Sequence, residues 1–430
     1  MSQDDRKPRV LMVVFEFPPS NGASVQRILS VYRGYLNAGY IVDVLTAHPF
    51  GYENVQMIPE GLLPHNPHGK IMRTLTVDAL YQLSFKGKHI GSLAYPDRWG
   101  KTWVPLSTIR GFIYSRQHKP DIIWSSSPTP SPHIIASRIQ SMTGAKWIAD
   151  YRDPMTHLQR QTPDKLGKML QKIDENVLAK ADMLTFATPE VRDMYAERAN
   201  RHDGDFQTMP NGYDAELLSS VHDEVVKSDQ QSNVFSPDAF NIYYAGVLYT
   251  EGRDPVPLFE ALAEFVKSHP DKPINMVFQG TKNASDYDDI ISQLGLGSVV
   301  KFVPGAPFRD AIKNMYLSDA LLLIQDARFN RQIPGKLYEY LATGKSILLK
   351  SPKESATSQE AAPYEGVFQV DEKASIYRNL CDIVLPFFEQ KCDDDKSKTI
   401  NSWDRDTEFH SRQHHVKKLI AWSESLRAVR

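Results

Sequence analysis

Short runs of apolar residues alternate with helical patterns along most of the chain. In the first half, such runs lie at 10–15, 40–46, 121–125, 146–150 and 183–187; in the second half they lie at 240–248, 274–279, 299–303, 320–325, 346–349 and 367–370. Continuous apolar strands that alternate with helices are typical of parallel sheets, whose two faces are both covered. The pattern therefore predicts an α/β protein.

Two stretches lack this pattern. Residues 47–101 collect Pro, Gly, His and aromatic residues without a clear period, which predicts a long functional loop. Residues 209–214 have the composition of a turn and are followed by a polar stretch at 219–238 that predicts a mobile segment. Because 430 residues exceed what one core usually supports, we expect two domains that meet near residue 212.

The composition of the chain argues against some classes of binding partner and some cellular compartments. The formal charge is −2 with acids and bases interspersed, which argues against nucleic acid as a partner. Cys381 and Cys392 form neither a metal spacing nor a disulfide framework, which indicates a reducing compartment. No apolar run approaches the roughly 18 residues of a membrane span, and the polar start is unlike a signal peptide. We expect a cytoplasmic protein.

The segment 333–350 carries the most informative chemistry. Pro334 suits the start of a helix, Gly344 suits its left-handed end, and residues 346–349 predict a buried strand. The free N–H groups at the helix start, with Gly335 and Lys336, form a seat for a phosphate, and Glu339 on nearly the same face can accept hydrogen bonds from a ribose. The alternative is an amphipathic helix with a surface Lys336–Glu339 pair.

The run Pro-Gly-Lys-Leu-Tyr-Glu-Tyr-Leu-Ala-Thr-Gly at 334–344 resembles the nucleotide-binding segment of family 4 glycosyltransferases. That resemblance implies the GT-B fold, in which two Rossmann-like domains have parallel sheets that face a central cleft. The implied domains are an acceptor-side domain at 1–212 and a nucleotide-sugar domain at 213–408, with a final helix at 409–426 that packs back on the first. One departure is Arg331, which stands where the family commonly has the first of two glutamates.

The resemblance also implies a donor site. Its residues in this chain are Gly246, Arg253, Pro334, Gly335, Lys336, Leu337 and Glu339. Val247 and Glu251 stand where the family has its diphosphate-binding Arg and Lys, so Arg253 is the expected replacement cation, with a surface pair to Asp254 or Glu251 as the alternative. Arg328 and Arg331 are candidate contacts for the sugar.

Two features of the first domain are candidates for acceptor chemistry. The loop after the first strand holds Asn21 and Gly22, which we expect to approach a phosphate or the acceptor with support from Arg27; a tight turn and a solvated Arg27 are the alternatives. The run Ala-Asp-Tyr-Arg-Asp-Pro ends a strand at Asp153, which is expected to orient or deprotonate an acceptor hydroxyl. The alternative is a helix cap before Pro154.

By resemblance, the chain is expected to be a retaining, metal-independent glycosyltransferase without a cofactor. Asp153, Arg253 and Lys336 are the expected catalytic residues, the donor is of the UDP or GDP type, and the acceptor is a sugar, a lipid-linked molecule or a small molecule, in bacterial polysaccharide or glycoconjugate assembly. A non-catalytic sugar-nucleotide binder and a nucleotide-sugar epimerase remain alternatives. Residues 83–90 mix cations and apolar side chains, which leaves open peripheral contact with the inner face of a membrane beside an ordinary solvated loop.

Overall fold

The computed structural model describes residues 6–20, 23–52, 63–84, 88, 90–155, 164–199, 201, 203–227, 232–248, 253–370, 373–390 and 403–429. The chain divides into two units. Unit 1 comprises Met1–Asn211 and Arg412–Arg430, and unit 2 comprises Gly212–Ser411. Each unit has its own parallel sheet with helices on both faces, so each is described by itself.

Unit 1 is built on a sheet of seven parallel strands. They are β1 (Arg9–Val13), β2 (Ile41–Ala47), β3 (Ile71–Thr74), β4 (Ile122–Ser126), β5 (Lys146–Tyr151), β6 (Met183–Phe186) and β7 (Phe206–Thr208). Their spatial order is β3-β2-β1-β4-β5-β6-β7. Strands β1, β2 and β4 are almost entirely buried, which explains their continuous apolar sequences. The strand order reverses between β1 and β4, and open α/β sheets usually bind ligands at the carboxyl ends of the strands at such a point.

Five helices connect the strands of this sheet in chain order and cover its faces. They are α1 (Ala23–Asn37), α2 (Gly100–His118), α3 (Ser131–Thr143), α4 (Lys165–Lys180) and α5 (Pro189–Arg198). Helix α2 was not predicted, and β3 lies within the stretch 47–101 that was expected to be a loop. That expectation was wrong for residues 71–74, because the strand is only four residues long and too short to show a period.

Unit 2 has six parallel strands in the order β10-β9-β8-β11-β12-β13. They are β8 (Phe240–Ala245), β9 (Ile274–Gln279), β10 (Val300–Val303), β11 (Ala320–Ile324), β12 (Ser346–Lys350) and β13 (Val367–Val370). The helices are α6 (Ala215–Lys227), α7 (Val256–Ser268), α8 (Asp288–Gln293), α9 (Phe308–Leu317), α10 (Gly335–Ala342), α11 (Ala356–Ala361) and α12 (Lys373–Gln390). The expected mobile segment at 219–238 is corrected for residues 219–227, which belong to helix α6 and are anchored by the buried Leu218 and Val221.

The final helix, α13 (Arg412–Ala428), belongs to unit 1 and packs on α1. Gly34 makes room for it, since a Cβ at that position would lie 1.9 Å from a methyl carbon of Val416. A hydrogen bond of 2.7 Å joins the Tyr35 hydroxyl to that of Ser423. Both contacts are buried, so α13 is part of the hydrophobic core of unit 1.

Two Rossmann-like units with parallel sheets are the elements of the GT-B fold, and the predicted fold class is confirmed at this level. Among the described residues, no helix is long and apolar enough to cross a membrane.

Candidate functional site

The candidate donor site lies at the carboxyl edge of the unit 2 sheet, where β8 ends. Gly246 follows this strand with φ +136°, a backbone conformation that favours glycine. Its N–H donates to the Gln279 carbonyl at 2.8 Å, and the Thr281 hydroxyl donates to its carbonyl at 3.1 Å. The backbone at Gly246 is therefore fixed by β9 and the residues that follow it.

Helix α10 begins beside this turn. Pro334 is its N-cap residue and provides no side-chain hydrogen bond to the first turn. The Leu337 N–H already donates to the Pro334 carbonyl at 3.0 Å. Gly335 and Lys336 are the first two helical residues, so their N–H groups have no acceptor within the helix and lie at the positive end of its dipole. This arrangement favours an anion.

Lys336 reaches from this first turn to the end of β8. A Cβ built on Gly246 would lie 2.1 Å from the Lys336 Nζ, so the ammonium group occupies the space that a side chain would need. The same Nζ lies 4.6 Å from the centre of the Tyr244 ring, a cation–π contact. In the part of the chain that the structure describes, Lys336 makes no hydrogen bond or ion pair with the protein, which leaves its three donors to a ligand.

The surroundings of Lys336 reduce the protonated fraction of its amine in the free protein. Burial and the nearby Arg253 charge outweigh the attraction of the Glu339 carboxylate and lower the pKa of the Lys336 amine to about 7. A bound diphosphate would add negative charge beside the amine and raise this pKa again. The site is therefore suited to take up a proton together with an anion.

Arg253 lies in the same neighbourhood, as predicted for a second cation. One of its guanidinium nitrogens donates to the Val247 carbonyl at 3.4 Å, and its Cζ lies 5.8 Å from the centre of the Phe329 ring. The structure thus brings Gly246 and Arg253, from the connection between β8 and α7, together with Lys336, which is distant in the sequence. Glu251, one of the two carboxylates of the alternative surface pair, lies outside the described residues.

Gln325 is a residue that the sequence analysis passed over. Its side-chain amide donates to the carbonyls of Phe329 and Gln332 at 3.2 and 2.8 Å and to the Thr357 hydroxyl at 3.0 Å. These bonds fix the loop between β11 and α10, which carries the exposed Arg328 and Arg331. A buried polar residue at the end of the apolar strand β11 was the available signal.

Leu337 and Glu339 differ in their suitability as ligand contacts. Leu337 is fully buried in the hydrophobic core of unit 2, and its N–H is already hydrogen-bonded, so the prediction that it contacts the nucleotide is not supported by its position. Glu339 is 5% exposed, which contradicts the alternative of a surface pair with Lys336. Its carboxylate is close enough to raise the pKa of Lys336.

A groove of about 300 Å³ opens at the carboxyl ends of β11, β12 and β13. Its lining includes Asp326, Lys350, Lys353 and Glu354, so it carries charges of both signs. The predicted donor residues Gly246, Lys336 and Glu339 do not line this groove. It lies at the same edge of the sheet and offers polar contacts next to the loop held by Gln325.

Arg27 in unit 1 has a structural role, and the alternative of a solvated Arg27 is wrong. It is 4% exposed instead of solvated. Its Nε and Nη2 donate to the two carboxylate oxygens of Asp150 at 3.0 and 2.6 Å, and the guanidinium also donates to the carbonyls of Met209 and Pro210. Four of its five N–H groups are thus used inside the unit. Asn21 and Gly22, its expected companions, lie outside the described residues.

Loss of Arg27 should destabilise unit 1. Asp150 is fully buried, and Arg27→Met would leave its charge uncompensated, at a cost of about 3–5 kcal/mol in the free energy of unfolding. Five of the six tryptophans lie in unit 1, so urea unfolding followed by tryptophan fluorescence reports the change. Arg192→Met, which removes the exposed pair with Asp193, is the control and should cost at most about 1 kcal/mol. Equal effects of the two substitutions would contradict the role of Arg27.

Asp153 lies two residues beyond the end of β5 and is half-buried. It does not cap a helix that starts at Pro154, because Pro154 and Met155 are not helical and the next described helix begins at Lys165 with Asp164 as its cap. The capping alternative is therefore wrong for the described residues.

The neighbour of Asp153 adds a cation. Arg152 is held by a 3.0 Å hydrogen bond from its N–H to the Ser127 hydroxyl, and its Nε is buried without a hydrogen-bond partner in the described part of the chain. Burial lowers the pKa of Arg152, while the Asp153 charge opposes this shift. A carboxylate and a guanidinium thus stand side by side at the carboxyl edge of the sheet.

Comparisons with solved structures agree with the GT-B fold. A glycosyltransferase from Rickettsia africae has a TM-score of 0.62 at 11% identity, covering 98% of this chain and 99% of that chain. Anabaena Alr3699/HepE in complex with UDP has a TM-score of 0.56 at 13% identity, with coverages of 98% and 97%. A putative UDP-N-acetylglucosamine 2-epimerase from Listeria monocytogenes has a TM-score of 0.55 at 13% identity, with coverages of 98% and 96%.

No protein-family model and no curated protein matches this chain. At 11–13% identity, these structures establish the fold alone.

Proposed function

We propose that the chain is a family 4 glycosyltransferase that transfers a sugar from a nucleoside diphosphate sugar, bound by unit 2, to an acceptor bound by unit 1. The reaction retains the anomeric configuration and needs no metal ion. The observation that carries the proposal is the contact of Lys336 with Gly246 at the first turn of α10. It puts a lysine that has no hydrogen-bond partner among the described residues next to the backbone N–H groups of the first helical turn, at the edge of the sheet where such folds bind ligands.

In this proposal, the diphosphate binds the N–H groups of Gly335 and Lys336 and the Lys336 ammonium, with Arg253 as the second cation. The departure of the nucleoside diphosphate builds negative charge on the β-phosphate, which these groups stabilise. Arg328 and Arg331 lie on the exposed loop before α10 and are candidates for contact with the sugar. The structure of Alr3699/HepE with UDP supports a uridine nucleotide as the first ligand to test.

The first experiment is a thermal-shift screen of nucleoside diphosphates and nucleotide sugars with the whole protein. A ligand at one hundred times its dissociation constant adds about 2.7 kcal/mol to the stability of the state that binds it. The nucleotide sugar that binds is then incubated with sugar, lipid-linked and small-molecule acceptors, with and without a chelator. A glycosylated acceptor whose anomeric configuration matches the donor supports the proposal, and a requirement for added metal contradicts the metal-free mechanism.

A nucleotide-sugar epimerase is the second candidate, because a putative epimerase shares the fold at a similar TM-score. It needs no acceptor and yields an isomer of the nucleotide sugar. NMR of the donor incubated alone with the protein distinguishes the two activities. Binding of a donor with neither product would favour a non-catalytic sugar-nucleotide binder.

Glu339 is proposed to bind the ribose hydroxyls. Glu339→Gln should weaken both the nucleotide sugar and the free nucleoside diphosphate by about 1.5–3 kcal/mol, the usual range for hydrogen bonds to a charged group. Titration calorimetry measures both affinities. Glu365→Gln, at an exposed position of unit 2, is the matched control and should leave them unchanged. Unaltered nucleotide affinity in Glu339→Gln would remove the residue from the site.

A further inference from the structure

The exposed apolar side chains of this protein are concentrated in one part of unit 1. Of the thirteen large apolar side chains that are exposed in the described residues, nine lie between positions 50 and 113. Single exposed apolar residues are common on protein surfaces, but a contiguous group of them marks a surface that binds something apolar. Four of these nine, Leu75, Leu106, Ile109 and Ile113, line one groove of unit 1.

Helix α2 shows how this face arises. One side of the helix packs into unit 1 through buried residues that include Trp103, Val104 and Tyr114. Leu106, Ile109 and Ile113 repeat at the spacing of a second helical stripe and are 44%, 59% and 57% exposed. The exposed side of α2 thus carries this apolar stripe beside the cations Arg110 and Arg116.

The stripe continues onto the edge strand of the sheet. Leu106, Ile109 and Ile113 line a groove of about 530 Å³ together with residues of β3 and with Leu75, which is 57% exposed. The Thr102 hydroxyl exchanges hydrogen bonds with the backbone of Val77 and fixes the segment after β3 against α2. The apolar surface is therefore continuous and is held in place by hydrogen bonds.

The charge around this surface has one sign. Lys70, Arg73 and Arg110 line the same groove. Residues 63–119 contain nine Lys or Arg and only two acidic residues, Asp78 and Asp97, in a chain whose net charge is −2.

Both of these carboxylates already have partners within unit 1. Asp78 is buried and paired with Arg98. Asp97 accepts hydrogen bonds from the N–H and hydroxyl groups of Ser131. Helices α2 and α3 contain no acidic residue. Among the described residues that line the groove, every charged side chain is a cation. Asp43, which accepts a hydrogen bond from the Tyr114 hydroxyl, is fully buried and paired with Arg9.

We propose that this face of unit 1 docks on the surface of an anionic phospholipid bilayer. Leu106, Ile109 and Ile113 enter the boundary between headgroups and acyl chains, while Lys70, Arg73 and Arg110 bind lipid phosphates. Exposed apolar side chains combined with cations are what an interfacial helix requires. Lysine is depleted at protein interfaces, whereas lysine and arginine beside exposed apolar side chains suit an anionic lipid surface. None of these six residues belongs to the segment 83–90, which the sequence analysis considered for this role.

The test is flotation of the whole protein with vesicles of phosphatidylcholine alone or with about a third phosphatidylglycerol. We expect binding to the anionic vesicles and little binding to the neutral ones. The double variant Ile109→Glu/Ile113→Glu should reduce partitioning by more than roughly tenfold, because each change removes a large apolar group from the lipid boundary. Arg110→Ser should reduce it by about fivefold, the effect of one cation near an anionic surface.

The matched control is Val226→Glu, which changes an apolar residue of unit 2 that is 69% exposed and should leave partitioning unchanged. Melting temperatures of all variants should equal that of the parent, since the substituted side chains lie outside the core. Absence of binding to anionic vesicles, or equal binding by the double variant and the parent, would overturn the proposal. So would a lipid-free dimer that the double variant dissociates in light scattering, because the face would then be covered by a second copy. The flotation test needs no substrate, so its outcome is independent of the proposed transferase activity.

Discussion

Asp153→Asn is expected to lower the rate of sugar transfer by roughly 10² to 10⁴ while leaving nucleotide affinity nearly intact. This range is the usual contribution of a general base. Asp153 is the carboxylate that the sequence places after β5, and the structure leaves it half-buried at the carboxyl edge of the unit 1 sheet beside Arg152. An amide keeps the shape of the side chain but cannot accept the proton of an acceptor hydroxyl.

The control for this experiment is Asp164→Asn. Asp164 caps α4, where its carboxylate accepts the Gly167 N–H at 2.7 Å, and asparagine caps almost as well as aspartate. Its transfer rate and melting temperature should remain close to those of the parent. Nucleotide affinity, melting temperature and transfer should be measured on one preparation of each variant. Normal transfer by Asp153→Asn would exclude the residue from the chemical step.

The second large effect is expected for Lys336→Ala, which should lower the turnover number by about 10² to 10³, the range for removal of one donor from a developing anion. Binding of the donor should weaken less, because the charge on the leaving phosphate grows toward the transition state. Steady-state kinetics and calorimetry separate the two quantities. Lys345→Ala removes another half-buried lysine, beyond the other end of α10, and is the matched control.

Arg253→Ala should act in the same direction, since the charge of Arg253 is close enough to lower the pKa of Lys336. If Arg253→Ala has the kinetics of the parent, Arg328 or Arg331 becomes the candidate for the second cation. A rise in the Michaelis constant alone, in either variant, would mean that the cation binds the ground state and the transition state equally.

The pKa of Lys336 also predicts a pH dependence. The amine of the free protein has a pKa of about 7, so its charged form dominates below that pH and is lost above it. The value of kcat/KM, which reports the free enzyme, should therefore fall as the pH rises through about 7. The turnover number should fall only at higher pH, because the bound diphosphate raises the pKa of the amine. The arginine of Lys336→Arg keeps its charge over this range. The fall of kcat/KM near pH 7 should therefore be absent from the pH profile of this variant.

The sequence predicted the elements whose signals are local. The apolar runs became eleven of the thirteen described strands, all but the short β3 and β7. Pro334 and Gly344 stand just outside the two ends of α10, with Gly344 at φ +72°. Contacts between residues that are far apart in the sequence could not be predicted from it. Nothing in the sequence near Arg27 indicates that Asp150, 123 residues away, takes up its guanidinium, and a charged residue on a helix is ordinarily solvated.

The same limit applies to the candidate site. Gly246 and Lys336 could be named from the resemblance, but their contact depends on how β8 and α10 meet in three dimensions. Gln325 was missed because its function is to hold a loop, which a list of charged candidates does not reveal. Helix α2 was missed because its apolar residues surround it and leave no single stripe to detect.

The contact between Gly246 and Lys336 makes these two positions depend on each other during evolution. While the lysine is present, any side chain at 246 must displace its ammonium group as well as adopt an unfavourable φ. Once the lysine is replaced by a shorter residue, only the conformational cost remains, so substitutions at the two positions are not additive. A lineage that lost the lysine first could then accept alanine at 246, and restoring the lysine afterwards would no longer restore the original site.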